Sequence, residues 1–319
     1  MHIGIVDTMN EKGINLLKNN NKFTYEIVTD LSKENLISKI PKFDGITLRR
    51  GKIDSDIINK ASKLKVIARH GVGYDNVDIL ALKKKNIKLL VTHNTTSTSP
   101  AEHAMFMIIN IYKGRDMFDK IVKEGNFHKA LYMRFDENFE LFNKKILIVG
   151  FGRIGKKLIK KCLGFDMKAY VYDPFIDINI ITSLGGIPVT SLDEGLRECD
   201  VVSLSLPYNQ NTKNLINYEK ISMMKKNAIL INISRGGIVN EIDLDKALIE
   251  KLISFAGIDV FEKEPPEPNN PLLKNPRVFL SPHAATFTKE CLEDMSVETV
   301  QNVIDFFENK LDPIKIVNI

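Results

Sequence analysis

The chain has 319 residues, of which 44% are hydrophobic and 27% are charged, so it is long enough to form two globular domains. Its formal net charge is +5, and its lysines are scattered instead of forming the basic stripe with interleaved aromatic residues typical of nucleic-acid-binding proteins. No apolar run reaches the roughly 20 residues that span a bilayer, and the strand pattern begins at the amino terminus. We therefore expect no nucleic-acid partner, no membrane partner and no signal peptide.

The cysteine and histidine patterns bear on location and on metals. Cys162, Cys199 and Cys291 are odd in number and far apart, which favours free thiols and a cytoplasmic protein. The sequence contains no HExxH, CxxC or clustered histidine pattern, so no metal site is expected.

Short apolar runs alternate with polar-faced segments of helical length through residues 1–92. The runs are HIGIVD, FDGITL, KVIAR and IKLLV. This alternation predicts βα units that form a parallel sheet. The next segment, SPAEHAMFMIINIYKGR, has a helical pattern, in which we expect Ser99 as the N-cap, Pro100 as the first helical residue and Glu102 as the partner in a capping box. Glu102 and His103 therefore receive structural roles.

A second series of strand patterns begins at Lys144 and includes KKILIVG, KAYVYD, DVVSLSL, NAILINIS, SFAGIDV and RVFLSP. The preceding residues 116–143 have an irregular pattern rich in aromatic residues, which favours a lid or a partner surface. From about Thr286 the pattern becomes helical again, with no further strands to pack on, so we expect this helix to return to the first domain. The predicted domains are residues 1–98 with 287–319, and residues 99–286.

A glycine-rich turn predicts a dinucleotide site in the second series. The segment ILIVGFGRIGKKLIKKCLG contains G-x-G-x-x-G at Gly150, Gly152 and Gly155, after a strand and at the start of a helix. The next strand, KAYVY, ends at Asp173, which is the acidic position that such sites use for the adenosine ribose. A carboxylate there accepts from ribose hydroxyls and repels a 2′-phosphate, so the pattern favours NAD over NADP. An ordinary βα turn is the alternative.

Three ionisable residues follow strands of the same series. Arg235 follows AILINIS, Glu264 lies five residues after SFAGI, and His283 follows RVFLSP. The carboxyl ends of parallel strands line the ligand crevice of an open α/β sheet, so we expect the three side chains to converge. Imidazole can act as both acid and base near neutral pH, a neighbouring carboxylate fixes its tautomer, and a guanidinium binds a carboxylate or a developing alkoxide. This set of groups fits oxidation of a 2-hydroxy acid.

The chain resembles the D-isomer-specific 2-hydroxyacid dehydrogenases, especially the phosphoglycerate dehydrogenase and hydroxypyruvate reductase branch. The segments that carry the resemblance run through nearly the whole chain: KVIARHGVGYDNVD, SPAEH, GFGRIG, VYDP, INISRGGIVNE, GIDVFEKEP and SPHAA. The resemblance implies an α/β protein with two doubly wound parallel-sheet domains, a flavodoxin-like substrate domain and a Rossmann NAD-binding domain, with a cleft between them. It also implies a homodimer formed through the cofactor domain, with residues 116–143 as the dimerisation segment.

The resemblance assigns roles to individual residues. Arg235 would bind the substrate carboxylate and carbonyl, His283 would be the acid and base, and Glu264 would be its partner. Val72 and Gly73, in the loop after KVIARH, would hold the substrate carboxylate through their backbone. The further positions expected to line NAD are Arg153, Ile154, Pro174, Leu206, Pro207, Thr212, Ile233 and Asp259.

Several alternatives remain for the substrate. Arg49 and Arg50 end the strand FDGITL and Lys52 follows them, so they could hold a substrate phosphate, although arginines at strand ends are often only solvated. We therefore place 3-phosphoglycerate slightly ahead of hydroxypyruvate or glyoxylate. A non-catalytic NAD-sensing module is the alternative from another class. Because the chain stops at Ile319, we expect no carboxyl-terminal regulatory domain. The loop THNTTSTSPAEH departs from the family pattern, and Glu264, where formate dehydrogenases have Gln, disfavours that branch.

Overall fold

The computed structural model describes residues 1–93, 95–132 and 138–318. Nine elements alternate at the start of the chain. In order they are β1 (His2–Val6), α1 (Glu11–Lys18), β2 (Thr24–Val28), α2 (Lys33–Lys39), β3 (Gly45–Leu48), α3 (Ser55–Lys60), β4 (Val66–Arg69), α4 (Ile79–Lys84) and β5 (Lys88–Leu90).

The remaining elements begin with three helices in succession. They are α5 (Thr98–Lys113), α6 (Arg115–Lys123) and α7 (Phe127–Ala130). Strands and helices then alternate as β6 (Lys145–Val149), α8 (Arg153–Gly164), β7 (Lys168–Tyr172), α9 (Ile178–Ser183), β8 (Ile187–Pro188), α10 (Leu192–Glu198), β9 (Val201–Leu204), α11 (Tyr218–Ser222), β10 (Ile229–Asn232), α12 (Glu241–Ile249), β11 (Phe255–Ile258), β12 (Val278–Leu280) and α13 (Lys289–Phe307). Short 3₁₀ helices lie at Ile40–Lys42, Pro271–Lys274 and Pro313–Lys315.

The chain divides into two compact units, Met1–Thr96 with Thr286–Ile319 and Ser97–Ala285. The first unit contains a five-stranded parallel sheet in the order β2-β1-β3-β4-β5. Helices α2, α3 and α4 pack on one face of this sheet, and α1 and α13 pack on the other. Helices α1 and α13 approach so closely that a β-carbon on Gly13 would lie 2.2 Å from the Ser296 hydroxyl oxygen.

The second unit contains a seven-stranded parallel sheet in the order β12-β11-β10-β9-β6-β7-β8. Its strands are apolar on both faces because helices cover both. In β6, Ile146 and Ile148 pack against α5 and α8, while Leu147 and Val149 pack with α10, α11 and α12. The prediction of an α/β fold with two parallel sheets is therefore confirmed. Strands β9 and β7 flank β6, so the chain reverses its direction of winding at the carboxyl end of β6, where α/β proteins bind ligands.

The predictions for the start of α5 and for residues 116–143 were wrong. Helix α5 begins at Thr98 with Ser97 as N-cap, so Pro100 is its third residue, and Ser99 instead donates to the carbonyl of Ala285 at 2.6 Å. Glu102 makes no capping box but pairs with Lys161 at 2.9 Å, because the helix start places it on an exposed face next to α8. The segment 116–143 is also less irregular than expected, since it contains most of α6 and all of α7. Residues 133–137 of that segment lie outside the described residues.

Candidate active site

The glycine-rich turn after β6 can close only with glycine at two of its three positions. Gly150 has φ 94°, and a β-carbon there would lie 2.5 Å from the Ser205 carbonyl oxygen. A β-carbon on Gly155 would lie 2.4 Å from the Gly150 carbonyl oxygen. Gly152 is different, because no atom lies within 4 Å of the point its β-carbon would occupy. The turn therefore leaves open space at the amino terminus of α8, where free N–H groups and the helix dipole favour an anion.

Asp173 follows β7 and connects that strand to the glycine-rich turn. Its carboxylate accepts from the backbone N–H of Phe151, inside the turn, at 2.7 Å and from that of Phe175 at 2.9 Å. A carboxylate oxygen can accept more than one hydrogen bond, so ribose hydroxyls can also bind there. The open helix terminus beside this fixed carboxylate fits the pyrophosphate and ribose of NAD.

The other positions expected to line NAD lie in the same unit, at the starts of helices or the ends of strands. Arg153 and Ile154 open α8, Leu206 and Pro207 follow β9, and Pro174 follows Asp173. Thr212 fixes the loop after β9, because its hydroxyl donates to the Pro207 carbonyl at 2.8 Å and accepts from the Asn209 N–H at 2.7 Å. Ile233 follows β10 and is buried, and Asp259 follows β11 and is wholly buried.

Arg235 lies in a tight turn after β10 that Asn232 organises. The buried Asn232 accepts from the Ser234 N–H and hydroxyl at 3.1 and 2.8 Å and donates to the Arg235 carbonyl at 3.0 Å. The guanidinium of Arg235 donates to the Ser234 carbonyl at 2.6 Å. The turn also packs on the loop after β11, since a β-carbon on Gly236 would lie 1.8 Å from the Phe261 carbonyl oxygen. A rigid turn therefore presents the arginine.

Glu264 and His283 form a hydrogen-bonded pair. The Nδ1 atom of His283 lies 2.7 Å from Oε2 of Glu264, and the Phe261 N–H donates to Oε1 at 3.1 Å. Burial alone would raise the pKa of Glu264, but the hydrogen bond and charge of His283, the Phe261 N–H and the charge of Arg235 together lower it. Glu264 is thus ionised at neutral pH, and its acceptance of the Nδ1 proton leaves Nε2 of His283 as the ring nitrogen for chemistry. The His283 side chain is 48% exposed, so a small molecule can reach it.

The three ionisable residues come from adjacent strands, since β10, β11 and β12 are neighbours in the sheet. The structure therefore brings Glu264 and His283 together and places the Arg235 turn against the loop that carries Glu264. Sequence reasoning missed Asn232, although an Asn directly before Ser-Arg-Gly-Gly is a signal for an Asx-type turn. It also missed that the Asp259 carboxylate accepts from the backbone of Ala284 and Ala285, which no local pattern indicates.

The candidate substrate residues in the first unit lie after β3 and β4. The guanidinium of Arg69 donates to the carbonyls of Gly73, Leu48 and Arg49 at 2.7, 2.6 and 2.7 Å, so it connects the loop containing Val72 and Gly73 to the end of β3. Arg50 makes a two-pronged contact with the buried carboxylate of Asp7, which lowers the pKa of Asp7 although burial alone would raise it. Arg49 donates to the Thr8 carbonyl at 3.2 Å.

The described residues contain no group of three His, Cys, Asp or Glu side chains that could hold a metal ion. They also contain no helix that is long and apolar enough to cross a bilayer. The three cysteines are free and buried. Burial raises the pKa of Cys162 and Cys199 to about 12 and that of Cys291 to about 11, so their thiols are poor nucleophiles at neutral pH.

Comparisons with known proteins identify the family. Residues 105–285 match the model of the D-isomer specific 2-hydroxyacid dehydrogenase NAD binding domain, so the second unit is an NAD-binding domain. Over 306 residues the chain is 32% identical to a D-3-phosphoglycerate dehydrogenase of Archaeoglobus fulgidus, covering 96% of this chain and 57% of that protein. It is 33% identical over 305 residues to a hydroxypyruvate reductase of Thermotoga maritima, covering 94% of this chain and 96% of the relative.

A solved structure extends the comparison to the fold. The D-lactate dehydrogenase of Aquifex aeolicus, complexed with NAD and lactic acid, superposes with a TM-score of 0.85 at 28% identity, over 97% of this chain and 96% of that one. The similarity includes both units, since it covers 97% of this chain. With the family model matched over more than half of its residues, the chain belongs to the D-isomer-specific 2-hydroxyacid dehydrogenases.

Proposed function

We propose that the protein is an NAD-dependent oxidoreductase that transfers a hydride between nicotinamide and C2 of a small D-2-hydroxy acid or its 2-keto acid. The observation that carries the proposal is the 2.7 Å hydrogen bond between His283 and Glu264. This pair lies at the sheet edge that also carries Arg235 and the glycine-rich turn. An acid–base group, an anion-binding group and a dinucleotide site in one unit match the needs of this reaction.

The chain's own residues supply the proton transfer and the charge stabilisation. Bound nicotinamide would donate or accept the hydride. In the direction of reduction, the His283 imidazolium donates its Nε2 proton to the carbonyl oxygen at C2, and in oxidation the neutral imidazole accepts the hydroxyl proton there. In both directions the ionised Glu264 accepts a hydrogen bond from Nδ1–H of His283, and it stabilises the imidazolium. Arg235 binds the substrate carboxylate and stabilises negative charge on the C2 oxygen.

We place 3-phosphoglycerate first as substrate, with hydroxypyruvate or glyoxylate as the alternative. The archaeal relative supports the first choice by its name, and the Thermotoga relative supports the second. Arg49 is the candidate phosphate contact. Nη1 of its guanidinium donates to the Thr8 carbonyl and lies 3.9 Å from the Asp7 carboxylate, and a guanidinium has five N–H groups. The division of labour would give substrate binding to residues 1–98 and 287–319, including Val72 and Gly73. Residues 99–286 would bind the cofactor.

Rates of NADH oxidation with five keto acids test the function. The acids are phosphohydroxypyruvate, hydroxypyruvate, glyoxylate, pyruvate and oxaloacetate. We expect the highest kcat/KM with phosphohydroxypyruvate. Arg49→Ala should raise the KM for phosphohydroxypyruvate about tenfold and leave that for hydroxypyruvate nearly unchanged, because only phosphohydroxypyruvate has a phosphate for Arg49 to contact. Equal effects on both acids would refute the phosphate contact. NADH binding without turnover of any of the five would favour the NAD-sensing module.

We also propose a homodimer formed through the second unit. An open apolar groove of about 680 Å³ lies between α5 and α8, with Phe106 and Phe165 among its lining residues, each 46% exposed. The neighbouring helices α6 and α7 expose further apolar side chains, including Val122 and Phe127. Exposed apolar surface of this extent marks protein–protein contacts. Phe165→Asp should shift the mass measured by light scattering towards the monomer, whereas Ile242→Asp, at a 72% exposed site on α12, should not.

A further inference from the structure

The turn that presents His283 has a backbone conformation that is uncommon for residues with a β-carbon. His283 has φ 52°, in the left-handed region that a residue with a β-carbon occupies at a cost. The direction in which His283 presents its ring to Glu264 depends on this conformation, so the contacts that stabilise it bear on the acid–base pair.

Asp259 supplies that stabilisation from below the turn. Its carbonyl accepts from the His283 N–H at 2.7 Å, and its carboxylate accepts from the N–H of Ala284 at 2.7 Å and of Ala285 at 3.1 Å. Three successive N–H groups thus bind one residue. The Asp259 side chain has no exposed surface, so its charge must be balanced by buried donors.

Helix α5 provides one of those donors. The Ser281 hydroxyl donates its single proton to Asp259, so Nε2 of His103, 3.0 Å from that hydroxyl oxygen, must be the donor in their contact. The same Nε2 lies 3.4 Å from Oδ1 of Asp259. One turn earlier on the same helix face, Ser99 donates to the Ala285 carbonyl. Ser99 and His103 thus hold the two ends of the 281–285 turn.

We propose that His103 is a positioning residue for the acid–base step, an inference that rests on the function proposed above. Its Nε2–H fixes Ser281 and Asp259, and through them the turn that directs His283 at Glu264. His103 touches neither of those two side chains, so it acts on the reaction only through this network. It therefore has more than the helix-stabilising role expected from the sequence.

Two substitutions at position 103 separate the hydrogen bond from the side-chain volume. His103→Gln retains a donor near the position of Nε2, and His103→Leu removes it at similar size. We expect His103→Leu to lower kcat about tenfold with KM for the keto acid within about twofold, because the reacting groups lose alignment while substrate contacts remain. His103→Gln should keep kcat within about threefold of wild type, by the same reasoning.

A second readout does not need turnover. In the ¹⁵N NMR spectrum of histidine-labelled protein, the neutral His283 ring should be mainly the Nδ1–H tautomer in wild type and His103→Gln, and a mixture of tautomers in His103→Leu. The His283→Asn variant assigns the signal among the six histidines. Ser281→Ala breaks the same network by removing one oxygen atom, and it should give the same mixture of His283 tautomers. It replaces His103→Leu in the test if that variant does not fold.

The measurements test the positioning role of His103 and the proposed function separately. The positioning role would be overturned if His103→Leu and Ser281→Ala both kept the His283 tautomer signal and the kcat of the wild type. Equal losses of kcat in the Gln and Leu variants, with the His283 tautomer unchanged, would also overturn it, because they would reflect a general packing defect. A shifted tautomer in His103→Leu, in a protein that turns over no keto acid, would support the network and refute the proposed function.

Discussion

Gly236 and Phe261 lie so close that a β-carbon at position 236 would be 1.8 Å from the Phe261 carbonyl oxygen. This contact joins the turn that presents Arg235 to the loop that carries Glu264. Neither Gly236 nor the Phe261 carbonyl can shift without moving the backbone, because both groups belong to the main chain. The spacing between the arginine and the carboxylate is therefore set by the absence of a side chain.

Gly236→Ala tests this relationship. We expect it to lower the free energy of unfolding by about 3 kcal/mol, the order seen when a packed site is overfilled, and to reduce kcat/KM as the two loops separate. Gly164→Ala is the matched control, since no atom lies within 4 Å of its β-carbon position. Urea unfolding and steady-state kinetics measure both effects. Equal stability of the two variants would show that the loops can relax.

His283→Asn should abolish turnover while leaving NADH binding intact. Asn tolerates the left-handed backbone at position 283 better than Ala, so the loss should report on chemistry and not on folding. We expect kcat to fall at least about 100-fold, the usual contribution of a general acid–base group, with the Kd for NADH within about twofold. A fluorescence titration with NADH measures this Kd. Turnover within tenfold of wild type, in this variant and in His283→Ala, would remove His283 from the acid–base role.

The three glycines of the cofactor turn should separate into two classes. Gly152→Ala should fold with wild-type stability and bind NADH at least about tenfold more weakly, because the open space it fills is where we expect the pyrophosphate to approach. Gly155→Ala should instead lower the melting temperature, since its β-carbon would meet the Gly150 carbonyl. Calorimetry and NADH titration of both variants check this. Tight NADH binding by Gly152→Ala would refute the proposed pyrophosphate position.

Asp173→Ser should weaken the preference for NADH over NADPH. The substitution removes a negative charge that would repel a 2′-phosphate and a carboxylate that would accept from ribose hydroxyls. We expect the ratio of the two Kd values to narrow about tenfold, mainly through weaker NADH binding. Titrations of the wild type and the variant with both cofactors measure the ratio. An unchanged ratio would mean that the ribose is recognised elsewhere.

His70 should make the protein sensitive to mild acid. Burial and the nearby positive charges of Arg49 and Arg69 lower the pKa of His70 to about 4 from 6.5. The unfolded chain therefore binds a proton in a pH range where the folded chain does not, so stability is full above pH 6.5 and declines as the pH falls towards about 4. The total effect is about 3 kcal/mol.

His70→Gln and His70→Leu should flatten this decline, whatever their stability at pH 7. Urea unfolding between pH 7 and pH 4 gives the slope directly. A slope as steep in both variants as in wild type would assign the acid sensitivity to other groups. Glu264, whose pKa is lowered from its ordinary value, should add no ionisation near neutral pH to the pH–rate profile.

The sheets and the approximate positions of their strands could be predicted because apolar runs are local signals. The glycine-rich turn and Asp173 could likewise be located, since their spacing depends on one βα unit. The start of α5 could not, because Ser97 and Ser99 are both good caps in isolation and only the contact of Ser99 with Ala285 distinguishes them. Helix α7 has only four residues, too few to show a helical period in sequence. Helix α6 has a helical period and was missed because the segment was interpreted from its aromatic content.

The network around Asp259 was beyond local patterns for a different reason. His103 and Ser281 are separated by 178 positions, and their contact depends on α5 packing across the ends of β11 and β12. In sequence, His103 belongs to an ordinary helix, and the resemblance alone assigns Asp259 to the positions expected to line NAD. Only tertiary structure shows that both also support the turn at His283.

The contacts that hold the 281–285 turn have a consequence for how such a site can diverge. Asp259 recognises the N–H groups of residues 283 to 285, and Ser99 recognises a carbonyl, so the turn is held by its main chain and not by the imidazole. A side chain that tolerates the left-handed backbone at position 283 would therefore keep the fixed direction, the neighbouring carboxylate and the NAD-binding domain. Descendants of this scaffold could exchange one reaction for another by a single substitution, without rebuilding the turn.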